Sequence, residues 1–390
     1  MSITGRTAIA GIGQTPFTRG TELSTLELHL MAALEAIEDA GLTPAEIDGV
    51  MPNELAGTIA EDFILNLGLP ELSFSSTIRT GGASFASAIQ SAALAIAGGV
   101  ARTVLLVAGR RGYSAQRVSL TSEGAIAPHP VMRHIDEFER PFGNTVASQW
   151  FAHAARRHMH EFGTTSEDFG RIAVACRKHA NANPRALMFE KPMTLDQHQA
   201  SAMIADPLRL FDCSLETDGA TAIVLTSIER ARDLAKPAIP ILGVGEGHGS
   251  PPTSITQKAR LTEIEGLAVA ARRAFDMAGL RPEDIDAAQI YDGFTWVVLA
   301  SLEALGFCGL GEGADFVRDG RIEIGGALPI NTSGGLLSEG HCSGANLVSE
   351  AVRQLRREVE PERQVRGCER ILVTGEGDFH EGAVLVLGSA

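Results

Sequence analysis

The sequence predicts an α/β protein made of two fused copies of one unit, and three observations lead to this fold class. Residues 33–48 and 271–286 are identical at eight positions, which indicates a repeated local structure. Short apolar runs alternate along the chain with Ala-rich helical stretches. Aromatic residues make up only 5% of a chain that is 44% hydrophobic, so small side chains must do the packing. Such packing suits helices that lie closely on a sheet.

Each copy of the repeat begins with an amphipathic helix that a glycine ends, Gly41 in the first copy and Gly279 in the second. A proline follows three residues later and starts a short second helical turn. We expect a strand after each turn, at residues 49–51 in the first copy and at residues 287–291 in the second.

The same order of elements continues beyond the identical residues. Each copy is followed by a Gly-rich turn, an Ala-rich or amphipathic helix and a continuous apolar strand. These are predicted at residues 79–83, 84–97 and 103–109 in the first copy, and at 331–340, 345–357 and 370–375 in the second. Continuous apolar strands between helices are typical of sheets that are covered on both faces.

The chain therefore divides into two halves with a segment inserted between them. Residues 1–109 and 211–236 form the first half, and residues 237–390 form the second. The polar, His- and Arg-rich residues 110–210 are interpreted as an inserted cap over the sheet edge. Residues 236–240, with the sequence KPAIP, are predicted to be a short, stiff linker between the halves.

The charge balance argues against nucleic acid or an anionic membrane surface as a partner. Lys and Arg number 33 against 48 Asp and Glu, a formal net charge of -15, so a phosphate backbone would be repelled overall. A local basic pair, Arg110-Arg111, could still bind a phosphorylated cofactor. No apolar stretch is long enough to cross a membrane and the N-terminus lacks a signal-peptide pattern, so we expect a cytoplasmic protein.

The five cysteines are widely spaced, contain no CxxC pair and do not cluster with histidines. We therefore expect neither a disulfide framework nor a zinc site, and no other metal. One histidine stands out because His341 ends the Gly-rich turn that begins at Asn331. Such a turn lets another molecule approach the backbone closely. Taken alone, His341 is either a packed residue or a group that acts on substrate.

Four motifs together resemble the thiolase superfamily, and within it the lipid-transfer-protein type of thiolase is the most similar. They are GGASFASAI at 81–89, DGATAIVL at 218–225, YDGF at 291–294, and NTSGG followed by GH within 331–341. The resemblance covers nearly the whole chain. It implies two duplicated βαβαβαββ halves in a five-layer α-β-α-β-α arrangement, with an inserted cap region.

The sequence departs from the thiolase pattern at its reactive positions. Gly82 stands where the nucleophilic cysteine is expected at a helix N-terminus, and the neighbouring Ser84 is a candidate substitute for it. The second catalytic cysteine is also missing, near Glu376. Tyr291 replaces the usual Asn or His, and Cys342 replaces a proline beside the histidine, where we interpret it as a small packed residue.

Loss of both cysteines with a tyrosine gained is the pattern of thiolase-like retro-aldol lyases. The resemblance implies cleavage of a bulky β-hydroxyacyl-CoA, with a steroid or aromatic side chain, to a ketone or aldehyde and a shortened acyl-CoA such as acetyl-CoA or propionyl-CoA. Tyr291 is the candidate base. His341 either donates a hydrogen bond to the enolate or tunes Tyr291. Because such lyases are expected to carry a second Tyr at the position of His341, these two roles could be exchanged.

Three more residues are candidates for the site. Asp292 either orients Tyr291 or caps the helix that follows it, and His380 and Glu381 in the late loop are candidate third members. Coenzyme A is expected only as part of the substrate, with no separate cofactor, and the sequence does not reveal which residues bind it.

The resemblance also implies partners and leaves two other functions open. A homodimer is expected, in an α2β2 complex with a small OB-fold, zinc-ribbon protein that binds acyl-CoA. The cap at 110–210 is the candidate face for substrate or partner. One alternative is a thiolase-like acyltransferase with an unusual nucleophile, Ser84 or Cys342. The other is a non-catalytic subunit that binds acyl-CoA or lipid.

Overall fold

The computed structural model describes residues 3–53, 57–115, 137–250, 258–377 and 381–389. Within these ranges the chain forms eleven strands. They are β1 (Thr7–Gln14), β2 (Gly49–Pro52), β3 (Phe74–Ser75), β4 (Thr103–Arg111), β5 (Met203–Ala205), β6 (Leu208–Arg209), β7 (Asp218–Ser227), β8 (Ile239–Gly247), β9 (Ala287–Gln289), β10 (Arg370–Glu376) and β11 (Gly382–Gly388).

The same ranges contain twelve α-helices, several of them a single turn. They are α1 (Thr25–Asp39), α2 (Ala60–Leu67), α3 (Ser84–Ala97), α4 (Ala147–Phe162), α5 (Ser166–Asn181), α6 (Leu195–Gln199), α7 (Ile228–Ala231), α8 (Glu265–Ala278), α9 (Thr295–Ala304), α10 (Gly313–Phe316), α11 (Gly335–Ser338) and α12 (Ala345–Arg356). No helix in the described ranges has both the length and the apolar character that a membrane span requires.

Nine strands form one mixed sheet in the order β3-β2-β4-β7-β1-β8-β11-β10-β9. The order is nearly symmetric about its centre. In the first half β4 pairs with β2 in parallel and with β7 antiparallel, and in the second half β10 pairs in the same way with β9 and β11. Within the sheet, the two halves are joined by two residue pairs of β1 and β8, Ala8 with Pro240 and Ile9 with Ile239. This symmetry is what the sequence repeat predicted.

Helices cover both faces of each half of the sheet, so the layers follow the order α-β-α-β-α. The central layer is formed by α3 and α12. Helix α3 contacts β4 and β7 of the first half and β10 and β11 of the second, whereas α12 contacts β1 and β7 as well as β9 and β10. One apolar core joins these two helices to both half-sheets. Helix α1 lies on the outer face of the first half and α8 on the outer face of the second.

The repeated aspartate has the same structural role in both halves. Asp48 accepts hydrogen bonds from the backbone N–H groups of Arg102 and Thr103, where β4 begins. Asp286 accepts them from Glu369 and Arg370, where β10 begins. Each carboxylate thus pairs two backbone donors at the start of a strand, which explains why this side chain is present in both copies.

Most predicted elements agree with the structure, and the differences are at their ends. Strand β9 stops at Gln289, so Tyr291 lies beyond the strand and not inside it as predicted. The predicted linker at 236–240 is shorter, because β8 already begins at Ile239. The pairing of Pro240 with Ala8 draws these residues into the sheet.

The segment after β4 packs against the second half. Phe151 of α4 contacts Phe294 and Trp296 at ring-centroid distances of 4.9 and 6.0 Å. Phe169 of α5 belongs to the same apolar core, which also contains Leu372 of β10. The helices of residues 137–210 therefore help to fix the start of α9, which follows Tyr291 closely in the chain. The division of the chain at 110 and 210 stays a prediction.

Candidate active site

Tyr291 lies just beyond β9, where hydrogen bonds to its own backbone and to the backbone of Ile290 hold the chain in place. The side chain of Asn331 pairs with both backbone groups of Ile290: Oδ1 accepts from the N–H at 2.7 Å and Nδ2 donates to the carbonyl at 2.9 Å. The N–H of Tyr291 donates to Oγ1 of Thr374 on β10 at 2.9 Å. These bonds fix the point from which the half-buried tyrosine ring projects.

Loss of the Asn331 side chain should therefore destabilise the fold. Asn331→Ala leaves both buried polar groups of Ile290 unpaired and places alanine at a φ of 46°. We expect a loss of roughly 2–4 kcal/mol in the free energy of unfolding. Urea denaturation followed by circular dichroism measures it. Asn66→Ala, which removes one side-chain hydrogen bond on an exposed helix, is the control and should cost less than about 1 kcal/mol. Equal costs for the two variants would contradict the assigned role.

The Tyr291 ring fits between the starts of the two central helices. A Cβ atom built on Gly82, just before α3, would lie 2.3 Å from Cζ and 2.5 Å from the hydroxyl oxygen of Tyr291. A Cβ on Gly344, which immediately precedes α12, would lie 3.2 Å from Cδ2 of the ring. Gly82 is the position at which the thiolase pattern has its cysteine. The phenol therefore occupies the space that a side chain at residue 82 would need.

His341 faces the same phenol from the Gly-rich turn of the second half. Its Nε2 lies 3.3 Å from the Tyr291 hydroxyl oxygen, and the two rings meet edge to face with centroids 6.1 Å apart. The backbone N–H of His341 donates to Oγ1 of Thr217 at 2.9 Å, which ties the turn to the first half. The structure thus brings together the two residues that the sequence singled out.

Two side chains approach the other ring nitrogen of His341. Nη2 of Arg110, at the end of β4, lies 2.9 Å from Nδ1, and Oγ of Ser214 lies 3.3 Å from the same atom. Burial of the ring and, second, the positive charge of Arg110 hold the pKa of His341 well below its usual value. The imidazole is therefore neutral at neutral pH. Arg110 makes this contact inside the site, and its neighbour Arg111 donates to the carbonyl of Thr21 at 3.1 Å.

Asp292 acts on the turn that carries His341. Its carboxylate accepts hydrogen bonds from the backbone N–H groups of Leu336 at 2.8 Å and Leu337 at 3.2 Å, both in α11. It therefore caps α11 and not the helix that follows it in the chain, α9. Burial raises the pKa of Asp292 to about 7, although the two backbone donors favour the charged form.

Ser84 makes local hydrogen bonds within its own turn. Its hydroxyl donates to the carbonyl of Gly81 at 2.7 Å and accepts from the N–H of Thr80 at 2.9 Å. Both bonds hold the turn that leads into α3. The hydroxyl proton is thus directed at a backbone oxygen and not at a group able to act as a base.

None of the five cysteines offers a thiolate. Cys342, next to His341, is fully buried and donates to the carbonyl of Ala108 at 2.9 Å. Burial raises the pKa of Cys176 well above its usual value and the pKa of the other four to about 12. Because the thiolate is the nucleophilic form, these raised pKa values disfavour a nucleophilic role for each thiol at neutral pH.

The late-loop candidates are only partly described. His380 lies outside the described residues. Glu381 is half-buried, its backbone carbonyl accepts from the N–H of Gly377 at 2.8 Å, and its carboxylate lies close to Gly377. Within the described ranges no three His, Cys, Asp or Glu side chains are grouped as metal ligands would be.

Sequence reasoning missed the residues that contact His341 from the first half. Arg110, Ser214 and Thr217 are far from residue 341 in the chain and belong to no motif that was recognised. The two arginines were noticed only as a basic cluster for a phosphorylated cofactor. The contact between Gly82 and Tyr291 was also missed. The signal was that a glycine replaces the cysteine in the same chain in which a tyrosine replaces the usual Asn or His.

Family models and similar proteins identify the family of the chain. Residues 7–229 match the model "Thiolase, N-terminal domain" and residues 247–389 match "Thiolase C-terminal domain-like". The chain is 42% identical to the steroid side-chain-cleaving aldolase of Thermomonospora curvata, over 90% of each chain. It is 40% identical to the 17-hydroxy-3-oxo-4-pregnene-20-carboxyl-CoA lyase of Mycobacterium tuberculosis, over 98% of this chain and 100% of that protein.

A solved structure shows the same likeness in three dimensions. The Ltp2-ChsH2(DUF35) aldolase superposes with a TM-score of 0.93 at 39% identity, over 100% of this chain and 99% of that one. These findings confirm the family, the fold class and the lyase activity that the sequence predicted. The chain therefore belongs to the thiolase family, within its group of carbon–carbon lyases.

Proposed function

We propose that this protein cleaves a bulky β-hydroxyacyl-CoA by a retro-aldol reaction in which Tyr291 is the base and His341 its hydrogen-bond partner. The observation that carries the proposal is the position of the Tyr291 phenol. Its oxygen lies 3.3 Å from Nε2 of His341, in the space beside Gly82 where a thiolase cysteine would be expected. A proton-transfer group thus stands where covalent catalysis would otherwise begin.

The reaction needs a base and a site for negative charge, but no covalent intermediate. The Tyr291 phenolate takes the proton of the β-hydroxyl group, and the β-carbon becomes a ketone or aldehyde as the Cα–Cβ bond breaks. The bonding electrons move to the thioester, which becomes an enolate. Return of the proton to Cα yields the shortened acyl-CoA and restores the phenolate. Atoms and electrons balance without an oxidant or reductant, so the proposal includes no redox cofactor.

The surroundings of the phenol favour negative charge. The starts of α3 and α12 both face the ring, and the N-terminus of a helix carries partial positive charge from unpaired N–H groups. His341 adds a ring nitrogen within hydrogen-bond distance, with the Arg110 cation behind it. The same groups would favour an enolate formed next to the phenol.

The described residues include no activated candidate nucleophile for the acyltransferase alternative. The cysteine thiols have raised pKa values, and the Ser84 hydroxyl is bonded to its own turn. An acyl-enzyme needs an activated nucleophile beside a base. The described residues supply the base but not the nucleophile, which favours the lyase.

For the acyl chain of the substrate and for the partner subunit, we propose what the sequence led us to expect. We propose a steroid-type acyl chain on the substrate, supported by the names of the two relatives at 40% and 42% identity. We also propose a homodimer that binds a small OB-fold, zinc-ribbon subunit in an α2β2 complex in the cytoplasm. The similarity to the Ltp2-ChsH2(DUF35) aldolase supports a second subunit.

A mass-spectrometric turnover assay tests the proposed function. The protein, with any subunit that co-purifies, is incubated with 17-hydroxy-3-oxo-4-pregnene-20-carboxyl-CoA and with an aryl β-hydroxyacyl-CoA. We expect a ketone or aldehyde, a shortened acyl-CoA and an unchanged protein mass. An acylated protein would instead support the acyltransferase. Binding of the CoA esters without turnover would support the non-catalytic subunit.

A further inference from the structure

The contacts around His341 determine which ring nitrogen carries the proton. Nδ1 lies 2.9 Å from Nη2 of Arg110. A guanidinium group has only donors, so Nδ1 must accept this hydrogen bond with its lone pair. A neutral imidazole with an accepting Nδ1 carries its proton on Nε2. The Ser214 hydroxyl, 3.3 Å from Nδ1, can share this lone pair as a second donor but cannot accept from an unprotonated Nδ1.

We propose that Arg110 is a positioning residue that holds His341 as the neutral Nε2–H tautomer, so that the imidazole donates to Tyr291 and never takes its proton. The hydrogen bonds then run in one direction, from Arg110 to Nδ1 and from Nε2–H to the phenol oxygen. This inference rests on the proposed function and deepens it, because it assigns the two roles that the sequence left exchangeable. Tyr291 is the base, and His341 is the donor.

The fold places the Arg110 side chain for this contact. Arg110 lies near the end of β4, opposite Gly219 of β7. A Cβ atom on the nearby Gly112 would lie 2.9 Å from Nε of Arg110, so only glycine leaves room for this path of the side chain. The N–H of Gly112 donates to the carbonyl of Thr217, whose hydroxyl accepts from the N–H of His341. The contacts of Thr217 thus link the segment that carries the Arg110 side chain to the backbone of His341.

Nuclear magnetic resonance of the imidazole nitrogens tests the tautomer without depending on activity. The full-length protein is labelled with 15N-histidine, and the His341 signals are assigned by their loss in His341→Gln. In the wild type we expect a protonated Nε2 and an unprotonated Nδ1 from pH 6 to 8. A protonated Nδ1 in the wild type would overturn the proposal, whether or not the protein cleaves any substrate.

Substitution of Arg110 tests the positioning role. In Arg110→Met we expect a mixture of the two tautomers and a fall in kcat of about tenfold to a hundredfold, with KM little changed. Arg110→Lys, which also has only donors, should restore the Nε2–H tautomer and part of the kcat. Arg102→Met, which changes an exposed arginine just before β4, is the control and should change neither quantity. Circular dichroism confirms that each variant is folded.

The outcomes separate this inference from the proposed function. An unchanged tautomer in folded Arg110→Met, or unchanged kcat despite mixed tautomers, overturns the role of Arg110 while leaving Tyr291 as the base. If the wild type cleaves no β-hydroxyacyl-CoA, the proposed function fails, and the nitrogen signals still decide the tautomer.

Discussion

Tyr291→Phe should lower kcat for carbon–carbon cleavage by about 10²- to 10⁴-fold, the usual contribution of a general base. The substitution removes one oxygen atom, 3.3 Å from Nε2 of His341, and keeps the ring that fills the space between Gly82 and Gly344. Stability and substrate binding should therefore change little. The rate of formation of the shortened acyl-CoA, measured by mass spectrometry, gives the size of the effect.

The second tyrosine of the chain provides the control for this experiment. Tyr113 is bonded to Asp218 through its backbone N–H, and Arg19 lies over its ring at 5.9 Å. Tyr113→Phe keeps both contacts and should retain the wild-type rate. If Tyr291→Phe keeps more than about a tenth of the wild-type kcat, Tyr291 is not the base.

Gly82→Ala should also reduce cleavage severely, by about a hundredfold or more, because displacement of a reacting group by about 1 Å has effects of this size. The added methyl group would lie 2.3 Å from Cζ of Tyr291 and 2.3 Å from the backbone carbonyl oxygen of Glu376. The carbonyl belongs to β10 and cannot move freely, so the phenol is the group that must shift. Its oxygen then loses the position beside His341.

Gly82→Cys tests the same close contact with the side chain that thiolases have at this position. It restores the residue that the thiolase pattern has at this position, but its Cβ atom meets the same two neighbours. We expect loss of the lyase activity without a gain of acyl transfer, and therefore no acylated protein mass.

Gly98→Ala, at the opposite end of α3, is the control for Gly82→Ala because its nearest contact is the Leu94 carbonyl at 3.1 Å. A fully active Gly82→Ala would contradict the close packing of residues 82 and 291.

The repeat and the apolar pattern were sufficient to predict two α/β halves, whereas the five-layer arrangement was predicted from the resemblance to thiolases. Residues 84–97 were predicted as a helix and form α3 with the same bounds. This helix was easy to recognise because a helix packed between two sheets is apolar around most of its surface, and its sequence is correspondingly rich in Ala. The ends of β9 and β8 were less predictable. Asn331 fixes the chain at Ile290, and β8 gains Pro240 by pairing with Ala8. Both effects come from residues distant in sequence.

The site was predictable only in its motif residues. Tyr291 was found because it departs from the thiolase pattern, and His341 was found because it matches that pattern. Arg110 and Thr217 were not found, since nothing local distinguishes an arginine at the end of a strand from one on a solvated surface. Their role depends on the approach of two half-sheets, which a single sequence without known contacts does not specify.

The central helices make the two halves one thermodynamic unit. Because α3 and α12 each pack on strands from both halves, separating the halves would expose one continuous apolar core. A single copy of the repeat would need a second copy to cover it, as subunits of an obligate dimer do. The duplication thus places inside one chain a contact that two separate copies would have to make as a subunit interface. Tyr291, His341 and Arg110 meet across that interior, so their alignment does not depend on protein concentration.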